Sequence, residues 1–246
     1  MLSQRLKEYI SACFTGIWLQ SHEHPDALRE IAQLCRDEKW ALATWDVDKG
    51  LSVAGANGQA ATAASATDPV AAIKSVNSLA TPKGSALLVL PNFHRFMSST
   101  EVIQALAHQV QSGKNNRTFV VILSPIVQIP AELDKLFTVI EHDLPGRKQL
   151  EIIAGGIATE KEEMPKGEDL QRLLDAASGL TRYEAEGAFS LSLVRNAKPQ
   201  PETVWELKSQ MLKKSGLLSL HRGTEKFADL GGLVLKQANV SRNLAS

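Results

Sequence analysis

Five short apolar runs, with helix-spaced or turn-rich segments between them, leave this chain few architectures. They are residues 14–20 (FTGIWLQ), 40–45 (WALATW), 86–90 (ALLVL), 118–123 (TFVVIL) and 137–140 (FTVI). A run without polar alternation is a strand buried on both faces, and such strands belong to parallel sheets covered by helices on either side. The connecting segments supply those helices. Leu2, Leu6, Tyr9, Ile10 and Cys13 share one stripe over residues 2–13, and Pro25 opens a helical face that continues through Leu28, Ile31, Ala32, Leu34 and Cys35 to about residue 38. Asp68-Pro69 starts a third helix over residues 68–79, residues 99–111 form a fourth, and residues 130–136 form a helical turn. The expectation is an α/β fold with a parallel five-stranded sheet flanked by helices.

From residue 144 the pattern changes. Residues 146–158, 168–177, 181–194 and 202–214 read as helices with no strand between them, and the charged stretch 159–166 reads as a lid loop. Lys213-Lys214-Ser215-Gly216 has the cations and glycine of a helix end. A domain boundary is therefore expected near Pro145. One segment is biased: residues 54–67 (AGANGQAATAASAT) carry no bulky side chain and read as a flexible surface loop.

Composition removes several function classes. A formal net charge of zero and a pI of about 7.0 give no electrostatic footprint for nucleic acid or an anionic membrane. Residues 10–19 are apolar but too short to span a bilayer, and no small-residue cleavage pattern follows them, so a cytoplasmic location is expected. Cys13 and Cys35 form no metal-ligand pair or disulfide framework; reduced core thiols are the expectation.

The first strand, Gly16-Ile17-Trp18-Leu19-Gln20, opens into Ser21-His22-Glu23-His24-Pro25-Asp26. In a nucleotide-binding sheet this turn would hold a phosphate loop, whose glycines free backbone N–H groups to cradle phosphates and whose lysine reaches the terminal ones. Two imidazoles, two carboxylates and a proline stand here instead.

Five stretches carry a family resemblance. They are Leu88-Val89-Leu90-Pro91-Asn92-Phe93-His94-Arg95-Phe96; Leu123-Ser124-Pro125 with Ile129-Pro130-Ala131-Glu132-Leu133; Ser178-Gly179-Leu180-Thr181 with Glu184-Ala185-Glu186; Lys214-Ser215-Gly216-Leu217-Leu218; and residues 227–233 (FADLGGL). In order and spacing they resemble the AAA+ ATPase family known as hypothetical chloroplast reading frame forty-six. In that family a degenerate AAA+-like half precedes a catalytic one. The resemblance covers roughly residues 1–236 and implies a degenerate α/β domain over 1–145, a helical lid over 146–220 and a linker over 221–246 leading to a catalytic module. That module is expected to be missing, because only residues 234–246 follow.

The resemblance also implies where active chemistry would sit. The third strand would end in magnesium-holding carboxylates; this chain has Pro91-Asn92, and neutral Asn92 is expected to turn or cap the chain. The fourth strand would end in a polar residue near the terminal phosphate; Ser124-Pro125 reads as a turn. Asp134-Lys135 lies where an arginine finger might be sought, and a lysine does not reproduce its bidentate contact. His22, Glu23, His24, Asp26 and His94 would lie at the carboxyl edge of the sheet, where ligands bind, but a His-x-His pair without a third spaced ligand is weak grounds for a metal. His94 with Arg95 would suit an anion or a plain surface pair. Gly155-Gly156 in a lid helix suggests a hinge or close packing, and Trp205, Leu207 and Met211 an apolar stripe that is core or an exposed partner face.

The expectation for function is a non-catalytic AAA+-like module serving assembly, regulation or client contact. Neither catalytic, cofactor nor metal residues are assigned, and no cofactor. The partner is an AAA+ ATPase module, an intact relative or a second copy, with neither nucleic acid nor membrane. An independent domain binding a ligand or, weakly, a nucleotide, and an enzyme using His22, His24 or His94, remain the alternatives.

Overall fold

Each apolar run is a strand, and the five are parallel neighbours. In the computed structural model, which describes residues 2–54, 60–63, 67–81, 84–158, 160 and 162–214, the strands are β1 (Gly16–Gln20), β2 (Ala41–Asp46), β3 (Gly50–Ala54), β4 (Ala60–Ala63), β5 (Ala86–Pro91), β6 (Thr118–Ser124) and β7 (Phe137–Glu141). They form one sheet in the order β4-β3-β2-β5-β6-β1-β7. The β2-β5-β6-β1-β7 part is parallel throughout. The sheet thus has seven strands rather than five. The extra two are an antiparallel hairpin that adds to β2.

That hairpin corrects the reading of residues 54–67 as a loop. Ala54 pairs with Ala60 and Leu51 with Ala63. A ladder at a sheet edge is held by main-chain hydrogen bonds and needs no large side chain, so small-residue composition does not forbid it. The preceding turn is set by Asp46, whose Oδ1 accepts from the backbone N–H of Asp48 at 2.9 Å and of Lys49 at 2.7 Å, and by Gly50 at φ 71°.

The helices are α1 (Leu2–Ser11), α2 (His24–Glu38), α3 (Pro69–Ser75), α4 (Thr100–Asn116), α5 (Arg147–Ile157), α6 (Gly167–Ala177), α7 (Arg182–Asn196) and α8 (Pro201–Lys214). Sequence starts them where capping chemistry dictates. Asp68 accepts from Ala71 N at 2.7 Å to open α3, and Ser99 accepts from Val102 N to open α4. At residues 130–136 the expected turn is made by successive i to i+3 bonds, Leu133 N to Pro130 O and Leu136 N to Leu133 O, both 2.9 Å.

Residue contacts divide the chain into two units: Met1–Ile157 with Ser178–Gly187, and Ala158–Ala177 with Ala188–Ser246. In the first, strand alternation sends Ile17, Leu19, Leu87, Val89, Phe119, Val121 and Leu123 to one face, against Leu6 and Ile10 of α1 and Ile31 and Leu34 of α2. Trp18, Leu88, Leu90, Val120 and Ile122 face the other way, against Ile73 of α3 and Val102, Leu106 and Val110 of α4. All seven residues of β6 are buried. Each large apolar side chain so covered contributes about 1.5–3 kcal/mol. Gly16 is required at the start of β1, since a Cβ there would lie 2.5 Å from the Leu136 carbonyl oxygen.

In the second unit α6 and α8 pack together, with Leu173, Leu174, Ala177, Phe189 and Val204 buried. Trp205, Leu207 and Met211 are only half-buried. Thr203 and Val204 are the buried positions of α8 among the described residues. Helix α5 runs without a break through Gly155 and Gly156, where a Cβ would meet nothing within 4 Å, so close packing does not explain that pair. Leu217, Leu218 and residues 221–246 lie outside the described residues. Among the described residues no helix is long and apolar enough to cross a membrane.

Candidate functional site

Where β1, β6 and β7 end, three chain segments are stitched together. Ser21 N donates to Ser124 O at 2.9 Å, and His142 N donates to Gln20 O at 2.8 Å. Ser21 Oγ accepts from Glu23 N at 3.0 Å and lies 2.8 Å from His142 Nδ1. Ser21 Oγ thereby links the turn to His142, whose Nε2 faces Glu30 Oε1 at 3.6 Å. The serine–histidine–glutamate line resembles a nucleophilic set, but Ser21 is 3% exposed and closed to substrate. It fixes the turn.

That turn presents Glu23. Its side chain reaches residues 159 positions away and accepts from Arg182 N, with Tyr183 N a second donor. Helix α7 is built to begin there. Thr181 and Glu184 form a capping box, Thr181 N donating to Glu184 Oε2 at 2.9 Å and Glu184 N to Thr181 Oγ1 at 3.2 Å. The box satisfies two of the four N–H groups that a helix start leaves open, and Glu23 satisfies the other two. Asp26, at the start of α2, adds an ion pair to Arg182 Nε at 2.8 Å and also pairs with Arg29. Arg182 is held as well by Glu186 at 3.2 Å.

Burial pushes the Glu23 carboxyl above its usual range; the Arg182 N–H opposes this, Asp26 adds to it, and His142 and the Tyr183 N–H oppose it. A cleft of about 640 Å³ lies beside this group. Its wall carries four carboxylates (Glu23, Asp26, Glu184, Glu186) against two guanidiniums (Arg29, Arg182).

His94, on the turn after β5, is buried and lies 2.9 Å from Ser124 Oγ. The Ser124 hydroxyl donates to Ile126 O at 2.8 Å, so His94 is the donor to it through Nδ1–H. Burial, then the charge of Arg95, holds His94 below its ordinary pKa. Burial, the largest cause, holds His24 low; a hydrogen bond to the Ser21 backbone opposes this, and His94 and His22 add to the lowering; its Nε2 is enclosed with no hydrogen-bond partner. His22 is exposed. The expected His-x-His pair is thus split between solvent and interior. Among the described residues no group of three or more His, Cys, Asp or Glu side chains could hold a metal ion.

The remaining candidates fall elsewhere. Asn92 is exposed in a left-handed turn at φ 54°, its N–H donating to Leu123 O at 2.7 Å, and its side chain makes no cap bond. Asp134 and Lys135 pair with each other at 2.8 Å on the surface. Cys35 is buried, which pushes its thiol up to about 12, while Cys13 sits at φ 62°. Arg182, His142 and Glu30 escaped the sequence reading as site residues. Only the Thr181-x-x-Glu184 box marked where α7 begins, and nothing local marked what it would meet.

The strand order, the helices on both sheet faces and the following helices define an AAA+-type module. Solved structures of that fold align with it: PCH-2 of C. elegans over 87% of this chain and 69% of that one, at a TM-score of 0.54 and 10% identity; a Rhizobiales Trip13 over 82% and 75%, at 0.52 and 13%; and the RuvB Holliday junction branch migration motor of Thermotoga maritima over 86% and 68%, at 0.53 and 13%. More specifically, residues 2–142 match the N-terminal domain of SpoVK-like AAA ATPases and residues 148–215 match their second domain; the chain belongs to that family. An uncharacterized AAA domain-containing protein, ycf46 of Guillardia theta, is 22% identical over 150 residues. That alignment spans 60% of this chain and 30% of the relative.

Proposed function

We propose that this chain is a non-catalytic AAA+-like module that serves assembly, regulation or client contact for an AAA+ ATPase module or an intact relative. In this reading residues 1–145 are a degenerate α/β domain, 146–220 a lid and 221–246 a linker. The observation that carries it is Glu23, a buried carboxylate at the turn where phosphates would be cradled. A phosphate charge about 4 Å from that carboxylate would meet a repulsion of about 4 kcal/mol at an effective dielectric of 20. The N–H groups of Arg182 and Tyr183 are already taken by the same carboxylate.

Magnesium-bound ATP, which the family implies, fits these residues poorly. The turn after β1 has neither glycine nor lysine, and the end of β5 offers exposed Asn92 in place of a carboxylate. Hydrolysis of ATP by the purified chain, followed by phosphate release, tests the reading. The expected rate equals that of buffer, and saturable hydrolysis abolished by Asn92→Ala would overturn it.

A further inference from the structure

We infer that the start of α7 with Arg182 is an anion site that the chain fills with its own carboxylates, Glu23 and Asp26. This rests on the proposed non-hydrolytic reading and deepens it. A helix N-terminus collects anions because its first N–H groups lack partners and carry the positive end of the dipole. Here the helix has 15 residues, and the anion is present: a glutamate 8% exposed lies on its first N–H groups. A second carboxylate, Asp26, lies 2.8 Å from Arg182 Nε in the geometry of an anion-binding guanidinium. Both acids come from the turn after β1 and the first turn of α2, where a bound phosphate would contact the sheet's carboxyl edge.

The arrangement holds residues 178–187 at that edge without any ligand. In a module whose corresponding contact were made by a phosphate, the attachment would come and go with the ligand. In this chain it is permanent, because the anion is covalently part of it. Glu23 immediately precedes α2, so its contact with the α7 terminus is intramolecular and does not depend on the concentration of a free anion.

The inference makes a gain-of-binding prediction. In the Glu23→Ala/Asp26→Ala protein, the α7 N–H groups and Arg182 lose their carboxylates and become available to free phosphate or pyrophosphate. Pyrophosphate titration is read by calorimetry and phosphorus NMR, and amide hydrogen exchange is read at residues 182–184. Wild type is expected to bind no pyrophosphate up to about 10 mM. The double variant is expected to bind it with a Kd on the order of 1 mM, and adding Arg182→Ala to abolish that binding. Exchange at residues 182–184 is expected to quicken at least about tenfold in the double variant and to slow again with pyrophosphate. Should the double alanine protein fail to fold, Glu23→Gln/Asp26→Asn keeps the shape and removes both charges, and the same Arg182-dependent binding is expected. A folded variant that neither gains binding nor exchanges faster overturns the inference and leaves the non-hydrolytic reading standing. Wild type that binds pyrophosphate and turns over ATP overturns both.

Discussion

Replacing Glu23 separates its two physical roles, acceptor and buried charge. Glu23→Ala removes the acceptor for Arg182 N and Tyr183 N, and both N–H groups lie where α7 has no partner of its own. Losing a side-chain cap costs about 1–2 kcal/mol, and about 2–4 °C of melting temperature accompanies each kcal/mol in a chain of this size. Glu23→Ala should therefore melt about 2–8 °C below wild type at pH 7. Glu23→Gln keeps one acceptor oxygen and removes the desolvated charge, so it should fall within about 0.5 kcal/mol of wild type. The pH dependence has a defined sign. The folded protein holds the Glu23 proton above the ordinary 4.5, so between that value and the raised folded value it binds more proton than the unfolded chain. Wild type should gain stability relative to Glu23→Gln as pH falls through that window, and lose the gain as pH rises through it. Urea unfolding followed by tryptophan fluorescence measures both effects. If Glu23→Ala matches wild type at pH 7, or Glu23→Gln is as damaging as Glu23→Ala, the capping argument is refuted.

Three further outcomes are expected. Gln109 is buried and bonds Asn77 and Thr118 Oγ1, at 3.0 Å for the latter, so Gln109→Leu should cost about 1–3 kcal/mol by leaving those groups unpaired; equal urea midpoints would contradict this. His24 and His94 are held below 6.5, so the unfolded chain takes up their protons first and stability should decline as pH drops below about 6.5; His94→Gln should flatten that decline, and an unchanged slope refutes it. The Cys35 thiol, pushed up to about 12 and buried, should react with a thiol reagent in a Cys13→Ser protein only on unfolding, and labelling of the native protein at pH 8 would contradict this.

The five central strands were legible because burial on both faces leaves unbroken apolar runs, as in β6. The β3–β4 hairpin was hidden because its pairing is main-chain chemistry written in small residues. The carboxyl-edge cluster was visible as residue types at strand ends. Which members were buried was not: Glu23 and His94 went inside, His22 stayed out, and periodicity does not register such choices. The partners were hidden more deeply. Glu23 meets Arg182, 159 positions on, and Ser21 meets His142, 121 positions on. Contacts at that separation follow from topology, and the lone histidine after β7 carried no spacing signal of its own.

The central claim is that the turn after β1 is filled by the chain itself and holds no nucleotide. The most direct measurement is thermal unfolding with and without several millimolar magnesium-ATP. A ligand present at 100 times its Kd adds about 2.7 kcal/mol, or about 5–10 °C for a chain of this size. The account predicts a melting temperature unchanged within about 1 °C. A saturable rise of several degrees, suppressed by Arg182→Ala, would contradict it.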